Sequence, residues 1–135
     1  MIKKLTFVVT ALAVVFLAGC GSNSNSGTDG ANGEGNKIKH KIAYVTNGID
    51  PFWDLCAAGV RQAESELGGV ECEIHFPTKG LADQKSIMES LMAKGISGIA
   101  VSPVDADGQT KFLNEIASQT KLITHDADAP KSDRL

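Results

Sequence analysis

Short apolar runs alternate with longer amphipathic stretches between residues 41 and 124. The apolar runs lie at residues 41–46, 70–76, 96–101 and 121–124. The amphipathic stretches, in which apolar side chains recur every three or four positions, lie at residues 51–67, at 81–94, and from Asp105 or Asp107 to about residue 119. Since each helix returns the chain to the same end of the sheet, this order predicts an α/β fold with parallel strands.

Two of the predicted strands differ in polarity, and this difference indicates their places in the sheet. Residues 42–45 are continuously apolar, as expected for a strand covered on both faces. Residues 70–76 alternate apolar and polar side chains, which is typical of a half-exposed strand at a sheet edge. We therefore expect a doubly wound parallel sheet in the order 2-1-3-4, within a three-layer α/β/α arrangement.

Doubly wound sheets bind ligands beyond the carboxyl ends of their strands. In this chain those ends lead into residues 47–53, 77–80, 102–105 and 125–128. We expect these loops to converge on one face of the sheet, although they lie far apart in the sequence.

The first of these loops carries the most distinctive side chains. Its Asn-Gly pair at residues 47–48 favours a turn, because both residues tolerate positive φ. Asp50 suits the N-cap of the next helix, and Pro51 suits its first position. Phe52 and Trp53 follow directly. An acid beside two rings is suited to a small polar molecule with apolar faces, and the alternative is that the rings staple the helix onto the sheet.

The first nineteen residues have the order of an export signal. A basic start is followed by an apolar run at residues 5–16, which is too short to span a bilayer, and then by small residues before Cys20. Leu-Ala-Gly-Cys at residues 17–20 resembles the bacterial lipobox, and this resemblance implies a lipid anchor at Cys20. An ordinary secretory signal that is cleaved elsewhere is the alternative.

Residues 20–36 are expected to form a flexible, lipid-anchored tether, because they contain mostly Gly, Ser and Asn and no apolar side chain larger than Ala after Cys20. The folded region is then residues 37–135. The chain has a formal charge of −3, and removal of residues 1–19 would remove two lysines and no acid. An acidic chain without a basic patch of interleaved aromatics is not expected to bind nucleic acid.

Neither an enzyme site nor a metal site is predicted. Ser102 follows a strand but lacks the G-x-S-x-G elbow of a nucleophile. His125 with Asp126 and Asp128 offers cation ligands, but no His/Cys cluster accompanies them. We therefore expect no catalysis, no cofactor and no bound metal.

Cys56 and Cys72 are the cysteines that remain after Cys20. An exported protein permits a disulfide between them. Because Cys56 falls near the top of a helix and Cys72 near the bottom of the next strand, their separation is expected to exceed the limit of about 7 Å for a bridge. Two separate buried thiols are the preferred interpretation.

Four blocks in order resemble the N-terminal lobe of the ribose/galactose-type periplasmic sugar-binding proteins of ABC transporters, which have the type I periplasmic-binding-protein fold. The blocks are I-A-Y-V at 42–45, D-P-F-W at 50–53, G-I-A-V-S-P at 98–103 and T-H-D-A-D-A-P at 124–130. The resemblance implies two α/β lobes joined by a hinge, with the sugar between them. Because family members are longer, we expect the chain to be an incomplete first lobe that binds sugar weakly or not at all by itself.

The resemblance also implies which residues contact the sugar. Rings of the family stack on the sugar, and carboxylates accept hydrogen bonds from its hydroxyls. The implied ligand-binding residues are Asp50, Phe52 or Trp53, Asp126 and Asp128. In several members Arg follows the acid at the position of Asp126. Here Ala127 stands in that place, which argues against ribose itself, and Asp128 is expected to supply part of the lost polarity.

The function that the resemblance implies is that of a substrate-binding lipoprotein of an ABC sugar importer. Its expected partners are a monosaccharide, either ribose-like or a hexose, the ABC permease subunits, and the membrane through lipidated Cys20. Its expected location is the cell envelope, on the periplasmic or outer-surface side. The alternatives are a sugar-sensing binding protein for a chemoreceptor and a surface lipoprotein fragment that acts only through protein contacts.

Overall fold

A computed structural model of the chain describes Ile38 and residues 40–135. The predicted export signal, Cys20 and the tether lie outside the described residues. The elements are β1 (His40–Val45), α1 (Pro51–Leu67), β2 (Val70–His75), α2 (Gly80–Ala93), β3 (Gly98–Val101), α3 (Thr110–Ala117) and β4 (Lys121–Thr124). None of the three described helices combines the length and apolarity that crossing a membrane requires.

The order of the elements is as predicted, but α3 begins later than Asp105 or Asp107. Asp105 does make a cap-type contact, since its carboxylate accepts a hydrogen bond from the Gly108 amide at 2.9 Å. Its carbonyl accepts from the Gln109 amide at 2.9 Å. Residues 106–109 nevertheless form turns, and the regular helix starts at Thr110.

The four strands are all parallel and lie in the order β2-β1-β3-β4. The predicted doubly wound α/β fold and its strand order are confirmed, and the alternating strand β2 is at an edge. The last residues of the strands are in register: Val45 lies opposite His75 and Val101, and Val101 lies opposite Thr124. The loops that follow them therefore start at one level.

The core lies on the face of the sheet that α2 and α3 cover. Its fully buried members come from both helices and three strands: Val45, Met88, Leu91, Val101, Leu113 and Leu122. Burying one such side chain stabilises the fold by about 1.5–3 kcal/mol. Side chains alternate along a strand, so Ile42 and Tyr44 point to the opposite face, where α1 packs. The predicted three-layer arrangement is thus confirmed.

The face of the sheet beneath α1 is less completely covered than expected. Residues 42–45 are covered on both faces, but the cover is complete only at Ala43 and Val45, whereas Ile42 and Tyr44 are half-buried. On the same side, Ile123 of β4 is 47% exposed. Trp53 is the one residue of helix α1 that is fully buried. Leu55, one of the apolar residues that recur at helical spacing in α1, is 75% exposed. The helix has apolar residues on two adjacent faces, and periodicity alone does not distinguish which of them meets the sheet.

Helix α1 also covers the outer edge of β2. The Cys72 amide donates to Glu64 Oε1 at 2.8 Å, and the Cys72 carbonyl accepts from Arg61 Nη1 at 2.7 Å. Arg61 and Glu64 are themselves joined at 2.8 Å, and this pairing lowers the pKa of Glu64. Cys56 and Cys72 are unpaired, as preferred, but only Cys72 is buried, whereas Cys56 is half-buried.

Candidate functional site

The carboxyl ends of β1, β3 and β4 continue their hydrogen-bonded ladder one residue beyond each strand. The Ser102 amide donates to the Val45 carbonyl at 2.9 Å, and the His125 amide donates to the Val101 carbonyl at 3.0 Å. The loops that begin here, residues 46–53, 102–105 and 125–128, are called the rim below. Three segments that are far apart in sequence thus meet at one edge, as predicted.

Asp126 lies where these three loops meet. Its Oδ2 atom accepts hydrogen bonds from Ser102 Oγ at 2.9 Å and from Asn47 Nδ2 at 3.5 Å. Its backbone has φ of +59°, a left-handed conformation that Asp tolerates better than most residues. The side chain is exposed, and among the described residues no donor reaches Oδ1. One carboxylate oxygen is therefore held by the fold while the other faces outward, available to a ligand hydroxyl.

Asn47 links Asp126 to Trp53. Its Oδ1 atom accepts a hydrogen bond of 3.2 Å from the indole nitrogen of Trp53, while its Nδ2 atom points to the acid. Trp53 is only 3% exposed, so its polar atom needs the partner that Asn47 supplies. The amide thus orients both a carboxylate of the rim and the ring beneath it.

The two predicted stacking rings differ sharply in exposure. Phe52 is 51% exposed, and its ring meets Trp53 edge-on with centroids 4.8 Å apart. Trp53 packs inside, in the arrangement of a staple between α1 and the sheet. Of the two candidates, Phe52 is the ring whose face is accessible to a ligand.

Aromatic and imidazole rings form a layer under the rim. Tyr44 and His125 stack with centroids 4.3 Å apart and planes at 13°, and Trp53 meets each of them edge-on. Burial lowers the pKa of His125 below its ordinary value of 6.5, and burial likewise raises the pKa of Tyr44. The layer therefore favours the uncharged imidazole, and among the described residues its hydrogen bond to the rim runs from Trp53 to Asn47.

Asp50 is the N-cap of α1, as predicted. Its Oδ1 atom accepts from the Phe52 amide at 2.8 Å. The residue is exposed, so its second carboxylate oxygen is accessible from solvent. Its role as a ligand residue stays a prediction, and the same carboxylate has a structural role at the start of the helix.

Asp128 is engaged by the chain itself. Its Oδ1 atom meets Arg134 Nε at 2.6 Å and Thr124 Oγ1 at 2.7 Å, and its Oδ2 atom meets Arg134 Nη2 at 2.8 Å. These contacts hold the pKa of Asp128 well below its usual range, with Arg134 the largest cause. A ligand would have to compete with a bidentate guanidinium for this carboxylate, so it is a poorer acceptor than Asp126.

Three further polar residues belong to this candidate site, and the sequence pattern does not mark them as such. The pattern at Asn47 predicts only a turn, and Ser102 lacks the context of a nucleophile. Gln84 interrupts the apolar face of the second helix and is fully buried beneath the rim. The signal that could have identified them is a polar side chain in an unexpected place. Asn47 and Ser102 follow strand ends, and Gln84 lies on an apolar helix face.

Metal binding and nucleophilic catalysis find little support in this geometry. Within residues 40–135, no group of three or more His, Cys, Asp or Glu side chains is placed to hold a metal ion. The Ser102 hydroxyl donates to a carboxylate instead of to an imidazole base. A depression of about 440 Å³, lined by Ile96, Thr120 and Leu135 among others, lies at the opposite end of the sheet, away from the acids of the rim.

Comparison with known proteins identifies the family to which the fold belongs. Residues 42–135 match the family model described as "Periplasmic binding protein domain". None of the curated proteins matches the chain in sequence. Among solved structures, an ABC transporter solute-binding protein from Burkholderia graminis, in complex with D-arabinose, is 27% identical with a TM-score of 0.67. The match covers 73% of this chain and 34% of that one.

Two further solved structures are similar. An arabinose-binding protein from Geobacillus stearothermophilus is 25% identical with a TM-score of 0.63, over 70% of this chain and 33% of that one. A periplasmic sugar-binding protein from Legionella pneumophila is 27% identical with a TM-score of 0.63, over 72% of this chain and 38% of that one. The chain thus spans about a third of the length of these structures.

Proposed function

Since the chain belongs to the periplasmic binding protein family, whose structural neighbours are sugar-binding proteins of ABC transporters, we propose that it is the substrate-binding part of an ABC sugar importer. The family is one of binding proteins and not of enzymes. The proposed ligand is a monosaccharide, and the proposed partners are the permease subunits that receive it.

The observation that carries this proposal is the geometry around Asp126. A carboxylate with one oxygen held by Ser102 and one oxygen free is suited to accept hydrogen bonds from a sugar hydroxyl. The exposed ring of Phe52 belongs to the same rim and offers an apolar face to the C–H groups of the sugar. Asp50 is proposed as a second acceptor, whereas the pairing with Arg134 makes Asp128 a weaker candidate.

The class of sugar is proposed from two observations. Ala127 follows Asp126 where several family members have Arg, which argues against ribose. Two of the similar structures are described as an arabinose complex and an arabinose-binding protein. Pentoses other than ribose are therefore the first sugars to test, followed by hexoses.

The rim is proposed to be one wall of a cleft between two lobes. The similar structures are much longer than the matched part, and a second lobe would supply the opposing wall. With one wall, binding is expected to be weak, in the range of about 1 mM or about −4 kcal/mol. Micromolar affinity of this chain alone for any monosaccharide would contradict the one-wall interpretation.

A lipid anchor at Cys20 completes the proposed arrangement. The acyl chains would hold the protein at the membrane surface, at about 0.8 kcal/mol per buried CH₂ group, and residues 20–36 would act as the tether. Metabolic labelling with a palmitate analogue should mark the wild-type protein. The Cys20→Ser variant should be unmarked and should leave the membrane fraction.

Sugar binding is tested most directly by NMR titration of the isotope-labelled protein with D-arabinose, D-xylose, D-galactose and myo-inositol. We expect chemical-shift changes at the amides of Asn47, Phe52, Ser102 and Asp126, and none at the amino ends of the strands. Glycerol at equal concentration serves as the control for general solvent effects. Absence of rim-specific shifts with every sugar, at concentrations well above the expected dissociation constant, would refute sugar binding by this rim.

A role through protein contacts alone is the second candidate. It is favoured by the exposure of Leu55 (75%) and Leu67 (71%) on α1, which leaves an apolar surface open. The same titration separates the two functions, because a protein-contact role predicts no response to any sugar. A sugar-sensing role with a chemoreceptor predicts the same rim shifts as the transport role, and it is distinguished by which partner retains the protein.

A further inference from the structure

Gln84 is a fully buried amide on α2, directly beneath the rim. Its Nε2 atom donates to the Thr46 carbonyl at 2.8 Å and to the Ser102 carbonyl at 2.7 Å. Its Oε1 atom accepts from the Val104 amide at 3.1 Å and from Gln109 Nε2 at 3.0 Å. These four contacts use both donors and both acceptor positions of the side-chain amide. The orientation of the amide follows from its partners, since reversal would set an oxygen against two carbonyls.

Packing alone does not require an amide at this place. The neighbouring buried positions of α2, Met88 and Leu91, are apolar, and an apolar side chain would fill the same volume. Burying a polar group is unfavourable unless all its hydrogen bonds are made. The bonds made here join the ends of β1 and β3, each just beyond the strand. Gln109, also buried, extends the network to the Asp105 amide at 3.0 Å.

The groups that Gln84 holds are those that orient Asp126. Ser102, whose carbonyl is bound by Gln84, donates its hydroxyl to Asp126 Oδ2 at 2.9 Å. The carbonyl of Thr46 belongs to the peptide that leads into Asn47, and Asn47 contacts both Asp126 and Trp53. A single buried amide thus bridges the two segments whose side chains flank the carboxylate, in addition to the backbone hydrogen bond from the Ser102 amide to the Val45 carbonyl.

We infer that Gln84 is the positioning residue of the binding rim, which keeps Asn47 and Ser102 at the separation that presents Asp126 to its ligand. The part of this inference that concerns the ligand rests on the proposed function. The part that concerns the positions of Asn47 and Ser102 can be tested without a sugar. Trp53 is the one tryptophan of the chain, and its indole is bonded to Asn47, so its fluorescence reports on the geometry of the rim.

The test compares Gln84→Met, which keeps the volume and removes the amide, with Leu91→Val, which perturbs the same helix away from the rim. In the folded protein we expect Gln84→Met to shift the Trp53 emission to longer wavelength and to move or broaden the amide signals of Asn47, Ser102 and Asp126. We expect Leu91→Val to lower the melting temperature without either change. The shifts that D-arabinose induces should require roughly tenfold more sugar in Gln84→Met than in the wild type.

The results of these measurements distinguish failure of the positioning role of Gln84 from failure of the proposed sugar-binding function. If Gln84→Met changes only the melting temperature, while Trp53 emission, the rim amides and the arabinose response remain as in the wild type, Gln84 is a packing residue and the inference is overturned. If the wild type responds to no sugar, the proposed function fails, and the emission and amide signals still decide the role of Gln84. If Gln84→Met does not fold, Gln109→Met decides: altered signals at Ser102 and Asp126 support the inference, and unaltered signals overturn it.

Discussion

The hydroxyl of Ser102 donates a 2.9 Å hydrogen bond to the carboxylate of Asp126, and this bond joins the loops that follow β3 and β4. It occupies one carboxylate oxygen and leaves the other facing outward. A charge-assisted bond of this kind fixes the direction of the acid before a ligand arrives, which reduces the cost of ordering on binding.

Replacement of Asp126 by Asn should weaken sugar binding with little loss of stability. The amide retains an acceptor for Ser102, but it loses the charge that makes a hydrogen bond to a sugar hydroxyl worth about 1.5–3 kcal/mol. NMR titration with D-arabinose should show at least a several-fold weaker response. Glu115→Gln, an exposed acid on α3, is the matched control and should titrate like the wild type. Equal affinity of both variants would remove Asp126 from the site.

Alanine substitution at Phe52 should mainly weaken sugar binding, whereas alanine substitution at Trp53 should mainly lower stability. Phe52→Ala removes an exposed ring, so we expect the unfolding free energy to change by no more than about 0.5 kcal/mol while the response to sugar falls. Trp53→Ala empties a buried site and should cost about 3–5 kcal/mol. Urea unfolding and sugar titration of each variant measure the two effects. A stable Trp53→Ala protein that has lost its sugar response would instead identify Trp53 as the stacking ring.

Stability should fall as the pH is lowered through the ordinary pKa of histidine. Burial lowers the pKa of His125 in the folded protein, so between its ordinary value of 6.5 and its lower folded value the unfolded chain binds more protons. The contribution of His125 is therefore complete above pH 6.5 and is lost on acidification. Urea unfolding at about pH 8 and about pH 5.5 should reveal the difference.

The control for this pH effect is His125→Phe, which keeps a ring stacked on Tyr44 and cannot be protonated. Its stability should be less sensitive to pH over the same interval. His40→Gln, at the exposed start of β1, should retain the sensitivity of the wild type. If His125→Phe loses as much stability on acidification as the wild type does, the titrating group lies elsewhere.

Removal of the side chains that cover the edge of β2 should promote self-association. In an Arg61→Ala/Glu64→Ala variant the outward amide and carbonyl of Cys72 lose their partners, and an uncovered strand edge can pair with another chain. Light scattering after size-exclusion chromatography should detect concentration-dependent oligomers.

The chain provides a matched control for that variant. Gln62 and Glu66 lie on the same helix and are joined at 2.8 Å, but they contact no strand in the described part of the chain. A Gln62→Ala/Glu66→Ala variant should stay in the same oligomeric state as the wild type. Equal association of both double variants would show that loss of surface polarity, and not the strand edge, is responsible.

The order of the elements, the parallel sheet, the edge position of β2 and the N-cap at Asp50 could all be predicted from the amino-acid pattern. These features are local: hydrophobic periods of two and of three to four residues follow from the geometry of strands and helices, and a cap needs only its own helix. The convergence of the loops at one edge followed from the same pattern, because parallel strands end together.

In contrast, tertiary packing determines which ring is exposed, which carboxylate keeps an unpaired oxygen and which buried amide bridges the strand ends. Periodicity did not distinguish the two apolar faces of α1, so the burial of Trp53 and the exposure of Leu55 depended on packing. The loop after β4 brings Asp128 into an ion pair with Arg134. Asp126 is oriented by Asn47, which lies 79 residues earlier in the chain. Hydrogen bonds between residues so far apart leave no period in the sequence, since they arise only after the sheet has brought the strand ends together.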